Sequence, residues 1–171
     1  MISSALAALT ATTGNRTDCW NTPPDFVGDV IKFFGTIDLD PCSNDENNPN
    51  VPATKVYTEE TNGLAHKWIA DRVFMNHPYS DSKTWVTYAV SQYELGYAKE
   101  LILLIKLDVS TRWWKSVSQY PWLAINKRLK FGDGRGAAPF QSAVVYLGED
   151  LDRFNDVFGK YGTLYLSLIH I

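Results

Sequence analysis

Val73-Phe74-Met75-Asn76-His77-Pro78-Tyr79-Ser80 is an apolar run that stops abruptly at residues of a different chemistry. A buried strand of a parallel sheet reads as such a short apolar run, and ligands of open α/β sheets bind beyond the carboxyl ends of these strands. The stretch therefore predicts an interior strand that delivers Asn76 and Tyr79 to a binding crevice. A second continuous apolar run, Leu101-Ile102-Leu103-Leu104-Ile105, predicts another interior strand, whose trailing Lys106, Asp108, Thr111 and Arg112 fall on the same rim as Tyr79. The fold expected is α/β, compact, with a mostly parallel central sheet and an antiparallel C-terminal strand pair.

The remaining elements follow from periodicity and punctuation. Thr22 reads as an N-cap with Pro23 at the first helical position, and Phe26, Val27, Val30, Ile31 and Phe34 recur at helical spacing up to Gly35. Residues 36–42 read as a short strand ending in Asp40-Pro41, and residues 55–58 as a second one. A short helical segment then leads from Leu64 to Trp68. Ser80 or Ser82 is expected to cap a helix whose apolar face is Trp85, Val86, Ala89, Val90 and Tyr93. Residues 123–131 and 142–147 read as two strands. Residues 151–158 read as a helix with Gly159 at its C-cap, and residues 163–171 alternate like an edge strand.

A chain of 171 residues, 45% hydrophobic and 20% charged, is most economically one globular domain. Residues 1–17 read as a flexible tail before a domain at 18–171. No apolar run approaches the roughly 18 residues a membrane span needs. The opening residues have no basic residue before their apolar part, so no signal peptide is expected. Cys19 and Cys42 are too few for a disulfide framework or a zinc site, so no metal is expected and cytoplasmic residence is the default. The net charge of −3 is unevenly spread. Between residues 25 and 62 eight acids face only Lys32 and Lys55; between 106 and 135 seven bases face only Asp108 and Asp133. One half suits a cation and the other a polyanion.

Asn76-His77-Pro78-Tyr79 resembles the Asn-Pro-Pro-Tyr motif of amino-group DNA methyltransferases. With it stand, in order, Asp18-Cys19-Trp20-Asn21-Thr22-Pro23, Asp38-Leu39-Asp40-Pro41-Cys42, Tyr57-Thr58-Glu59-Glu60, Gly63-Leu64 with Trp68, Thr111-Arg112-Trp113, Arg128-Leu129-Lys130-Phe131 and Ala138-Pro139-Phe140. Together they resemble the small phage-type, Dam-like DNA N6-adenine methyltransferases. The resemblance implies a compact Rossmann-like methyltransferase fold using S-adenosylmethionine on double-stranded DNA in the bacterial cytoplasm.

The adenine N6 lone pair is delocalised into the ring, so an enzyme must localise it toward the methyl donor. Acceptance of the two N6 hydrogens by the Asn76 side-chain oxygen and the His77 main-chain carbonyl would do so, with Pro78 stiffening the turn and Tyr79 stacking on a flipped base. The resemblance further assigns the donor to Trp20, Thr22, Pro23, Asp38, Asp40, Pro41 and Asn76. Glu59 or Glu60, after the second strand, is placed to accept ribose hydroxyls. Arg112, Lys130, Arg135 and Phe140 are the expected DNA contacts.

Three departures stand out: His77 for a proline, no glycine after Asp40, and Asn62 where an acid is expected. Because His77 precedes Pro78 its backbone stays extended and its carbonyl survives, so the carbonyl is the expected functional atom and an imidazole base the sharper alternative. Rival functions are a degenerate relative that binds DNA or S-adenosylmethionine without transfer, or a methyltransferase for RNA, a free nucleotide or protein glutamine.

Overall fold

The computed structural model describes residues 20–131 and 136–168. The tail at 1–17, Arg135 and the last three positions of the expected edge strand lie outside the described residues. The strands are β1 Ile37–Asp40, β2 Ala53–Val56, β3 Ala70–Asn76, β4 Ala98–Lys106, β5 Trp122–Ile125, β6 Ser142–Leu147 and β7 Gly162–Tyr165. The α-helices are α1 Pro24–Phe34, α2 Ser82–Glu94, α3 Trp114–Val117 and α4 Leu151–Phe158. All seven strands share one sheet in the order β2-β1-β3-β4-β6-β5-β7. The pairs β1–β2, β1–β3 and β3–β4 are parallel. The pairs β4–β6, β5–β6 and β5–β7 are antiparallel, so the antiparallel part is three strands rather than a pair.

The two apolar runs form the middle of the sheet because both of its faces are covered there. Phe74, Ile102 and Leu104 pack with Phe26, Val30 and Phe33 of α1 and Phe154 and Phe158 of α4. Val73, Met75, Leu101, Leu103 and Ile105 pack on the opposite face with Val86, Ala89 and Val90 of α2 and with Val117 of α3. Strand side chains alternate between faces, so covering both requires every position to be apolar. Strand β6 and helix α4 occupy the expected residues.

Other expectations are corrected. Helix α1 starts at Pro24, not Pro23: extended Pro23 is the N-cap, and its carbonyl accepts the first helical bond from Val27 N–H at 3.0 Å. No side chain caps it, because the Thr22 hydroxyl is engaged elsewhere. Helix α2 likewise has no side-chain cap: Asp81 is the N-cap, and the Ser82 hydroxyl turns to His77 and to the Tyr79 carbonyl. Strand β2 sits two residues earlier than expected because its ladder with β1 ends at Asp40 opposite Val56. Residues 123–131 yield only Trp122–Ile125. Leu129 and Phe131 are nevertheless buried, from loop backbone with a lone bridge at Lys130–Ala137, so the apolar pattern marked core plugs rather than a strand. Gly159 does cap α4, but with φ −56°, a right-handed geometry open to any residue.

Gly63 fixes the floor under the β1 rim. A Cβ there would lie 2.2 Å from the Pro41 carbonyl oxygen. Buried Trp68 holds the approach by donating its indole N–H to the Gly63 carbonyl at 2.9 Å. Gly63→Ala should therefore cost about 1–3 kcal/mol, the usual toll of overpacking, read as a lower urea midpoint at unchanged slope.

Candidate functional site

Parallel β1 and β3 are neighbours, so Asp40 and Asn76, their last residues, reach the same rim. A cavity of about 260 Å³ opens between them. Its walls are Trp20, Asn21 and Thr22 before α1; Asp40, Pro41, Cys42, Ser43 and Asn44 after β1; Asn50 and Val51; Thr58, Glu59 and Asn62; Asn76, His77 and Pro78; and Trp85 of α2.

The Asn76 carboxamide is held on both sides. Its nitrogen donates to the Trp20 carbonyl at 2.6 Å and to the Thr22 hydroxyl at 3.0 Å. Its oxygen accepts from the Tyr79 hydroxyl at 2.9 Å. Tyr79 does not line the cavity; its ring is edge-on to Phe140 at 5.0 Å and to Phe131 at 6.4 Å between ring centres. Trp20 closes this aromatic group against Phe131 and Phe140. Burial pushes the Tyr79 phenol far above its ordinary value, so it remains a protonated donor.

His77 turns its imidazole into the protein, where only 2% of the residue is exposed. Nε2 meets the Ser82 hydroxyl at 2.9 Å, and Nδ1 is buried without a hydrogen-bond partner among the described residues. Since Ser82 gives its own proton to the Tyr79 carbonyl at 3.2 Å, Nε2–H is the donor to Ser82. Burial pushes the imidazole down to about 3, so it is neutral near neutrality and does not titrate where a base would have to. Asp40 is also buried, and burial pushes its carboxyl up to about 7 against the opposing bond from the Cys42 N–H at 2.9 Å.

The expected site residues are not all brought together. Trp20, Thr22, Asp40, Pro41, Glu59, Asn76, His77 and Pro78 line the cavity; Pro23 and Glu60 do not. Asp38 sits toward the other end of β1, accepting the Arg72 N–H at 2.9 Å and pairing with its guanidinium at 4.0 Å. Arg112 and Lys130 are exposed, Phe140 packs on Tyr79, and Arg135 lies outside the described residues. Sequence reading missed Trp85, Val51, Thr58 and Asn50. Trp85 carried a usable signal: a helix that follows an interior strand begins at the rim, so an aromatic in its first turn can face the crevice. Asn50 carried none, because its amide reaches the Thr22 carbonyl at 3.0 Å across 28 residues. Among the described residues no three His, Cys, Asp or Glu side chains gather as metal ligands.

Comparison with known proteins gives this site a family. The model of the DNA N-6-adenine-methyltransferase (Dam) family matches residues 9–137, and the chain belongs to that family. A DNA N-6-adenine-methyltransferase of Haemophilus phage HP1 is 34% identical over 98 residues, which is 57% of this chain and 54% of the phage protein. The match thus spans about half the length of that curated relative.

Asp40 and His77 set opposing pH dependences of stability. Unfolded Asp40 ionises near 3.8 and folded Asp40 only near 7, so the folded state binds the extra proton and stability falls as pH rises between them. Unfolded His77 protonates below 6.5 and folded His77 only near 3, so stability falls as pH drops through that window. The two slopes offset each other from about pH 4 to 6.5. Relative to the parent, Asp40→Asn should make the urea midpoint rise more steeply with pH across that range, and His77→Pro should make it rise less or fall.

Proposed function

We propose that the chain is a DNA adenine-N6 methyltransferase that transfers the methyl group of S-adenosylmethionine to an adenine flipped out of double-stranded DNA. The domain is residues 18–171, its fold Rossmann-like, and its setting the cytoplasm of a bacterium carrying the phage or prophage. One observation carries the reading: a carboxamide at the end of an interior parallel strand, locked with its oxygen directed away from its backbone anchor, beside a cavity holding a buried carboxyl.

The donor set fits the methyl donor. Asp40 offers a carboxylate to a cationic ligand, Glu59 and Thr58 stand after β2 where ribose hydroxyls would be accepted, and Val51, Pro78 and Trp85 supply apolar walls. When bound, S-adenosylmethionine would supply a sulfonium methyl as the electrophile, its S–C bond exchanged for the N6–C bond and the donor leaving as a neutral thioether, with the proton that N6 loses passing to solvent. Asn76 Oδ1 keeps a lone pair beyond the one Tyr79 uses, and with the His77 carbonyl it draws the two N6 hydrogens out of the ring plane, so that the nitrogen moves toward tetrahedral geometry and its lone pair is localised toward the methyl donor. The imidazole takes no part, because it is buried, tied to Ser82 and, with its proton affinity lowered by that burial, too weak a base. Half-buried Tyr79 and Phe140, edge-on to each other with buried Phe131 packed against both, offer aromatic surface for an extruded base. Exposed Arg112 and Lys130 meet phosphates.

Incubation with tritiated S-adenosylmethionine and unmethylated duplex DNA, followed by nucleoside analysis, should place the label in N6-methyladenine; label in RNA, protein or nothing would overturn the reading. Asn76→Ala should lower turnover about 10²–10³-fold with donor affinity nearly intact, since it deletes an acceptor used at the transition state. Replacing Arg112 and Lys130 by glutamine should flatten the salt dependence of DNA affinity by about 0.9 log unit for each phosphate no longer neutralised, measured by fluorescence anisotropy.

A further inference from the structure

We infer that Thr22 is a positioning residue: with the Trp20 carbonyl it locks the Asn76 carboxamide so that oxygen, not nitrogen, faces the reacting base. The inference rests on the proposed methyl transfer and gives Thr22 a role different from the donor contact that its resemblance implies.

A carboxamide is nearly symmetric in shape, but a half-turn exchanges an acceptor for a donor. At this site the exchange would be fatal, because the adenine amino group must donate and would meet another N–H. Something must break the symmetry. The Trp20 carbonyl can only accept, so its 2.6 Å contact must be with Nδ2; the flipped amide would set two acceptors against each other. That carbonyl uses one Asn76 N–H. The Thr22 hydroxyl, 3.0 Å away, takes the other, and Thr22 is only 2% exposed, so water does not compete for the bond. With both N–H groups committed, a half-turn of the amide sets its oxygen against the Trp20 carbonyl and forces the hydroxyls of Thr22 and Tyr79 both to reverse their roles.

The segment is built to hold this position. Thr22 precedes Pro23, which restricts it to extended backbone, and Pro23-Pro24 leads rigidly into α1. Its carbonyl is tied by the Asn50 amide at 3.0 Å. The Trp20 ring is wedged between Phe131 and Phe140. A capping role does not account for the hydroxyl, since no side chain caps α1. Thr22 also borders the cavity, so the two assignments predict different kinetics.

The test compares Thr22→Val, which keeps the shape and deletes the hydroxyl, with Thr22→Ser, which keeps the hydroxyl. Turnover at saturating donor and DNA is read alongside the dissociation constant for S-adenosylhomocysteine by calorimetry. Thr22→Val should lower kcat about 10–100-fold, the worth of one buried bond removed and a donor left unpaired, with the dissociation constant changed less than about threefold. Thr22→Ser should restore kcat. In an Asn76→Ala background, Thr22→Val should have no further effect on kcat, because the group it positions is gone. A weakened S-adenosylhomocysteine complex with unchanged kcat would make Thr22 a donor contact and overturn the proposal. Failure of serine to rescue, or an undiminished effect in the Asn76→Ala background, would overturn it too. Thr22→Ala carries the same comparison if the valine variant does not fold.

If the parent protein transfers no methyl group, the functional reading fails and the lock is judged separately, by nitrogen-15 NMR of the Asn76 side chain. Its amide hydrogens should exchange slowly and Thr22→Val should speed them more than about tenfold, the exchange expected when a buried bond opens. Equal exchange in both proteins would overturn the lock.

Discussion

The parallel register of β1, β3 and β4 is the constraint on which the rim depends. Leu39 lies opposite Val73, and Asn76 opposite Leu104, so Asp40 and Asn76 arrive at one end of the sheet from neighbouring strands. Burial on both faces holds that register. A slip of one residue would exchange Phe74 with Met75 between two differently shaped cores and carry Asn76 to the wrong face. The same slip would separate Asn76 from the Trp20 carbonyl, so the chemistry at the strand end is inherited from packing along its length.

Around that rim the protein accepts local costs. A carboxyl and an imidazole are both buried, and each has shifted toward its neutral form rather than carry an uncompensated charge. The imidazole keeps one nitrogen without a partner among the described residues. Such conflicts between local preference and position gather at functional sites: Asp40 faces the cavity, and in the proposed chemistry His77 serves through its main-chain carbonyl and not through its imidazole. The Asn76 carboxamide is the opposite case. Its N–H groups and oxygen are all engaged, and it is the group whose orientation the proposed chemistry needs fixed in advance.

The interior strands and the three amphipathic helices α1, α2 and α4 were legible in the residues. Alternation and continuous apolarity are consequences of burial, and burial is what residue type reports. Helix α4 and strand β6 were readable to the residue because their ends carry turn chemistry. Where reading failed, a side chain had more than one use. Thr22 and Ser82 are good caps by type, and both spend their hydroxyls on the site instead. Leu129 and Phe131 are apolar at strand-like spacing, and both fill the core from loop backbone. Asp38 and Asp40 are two residues apart, so the pleat turns both to one face, and the rise along β1, roughly 6–7 Å over two residues, leaves one at Arg72 and carries the other to the cavity.

By itself the sequence determined which strands are interior, that the chain ends one of them in Asn76-His77-Pro78-Tyr79, and which family that pattern belongs with. Those properties are local: each is written in a few adjacent residues. Only the tertiary structure decided that the amide of Asn76 is held by Trp20 and Thr22, that His77 faces inward while Tyr79 stays out of the cavity wall, and that Asn50 ties the Thr22 carbonyl beside it. Each of these is a contact between residues distant in the chain or a choice among rotamers. It depends on how the elements pack, and no spacing along the chain encodes it.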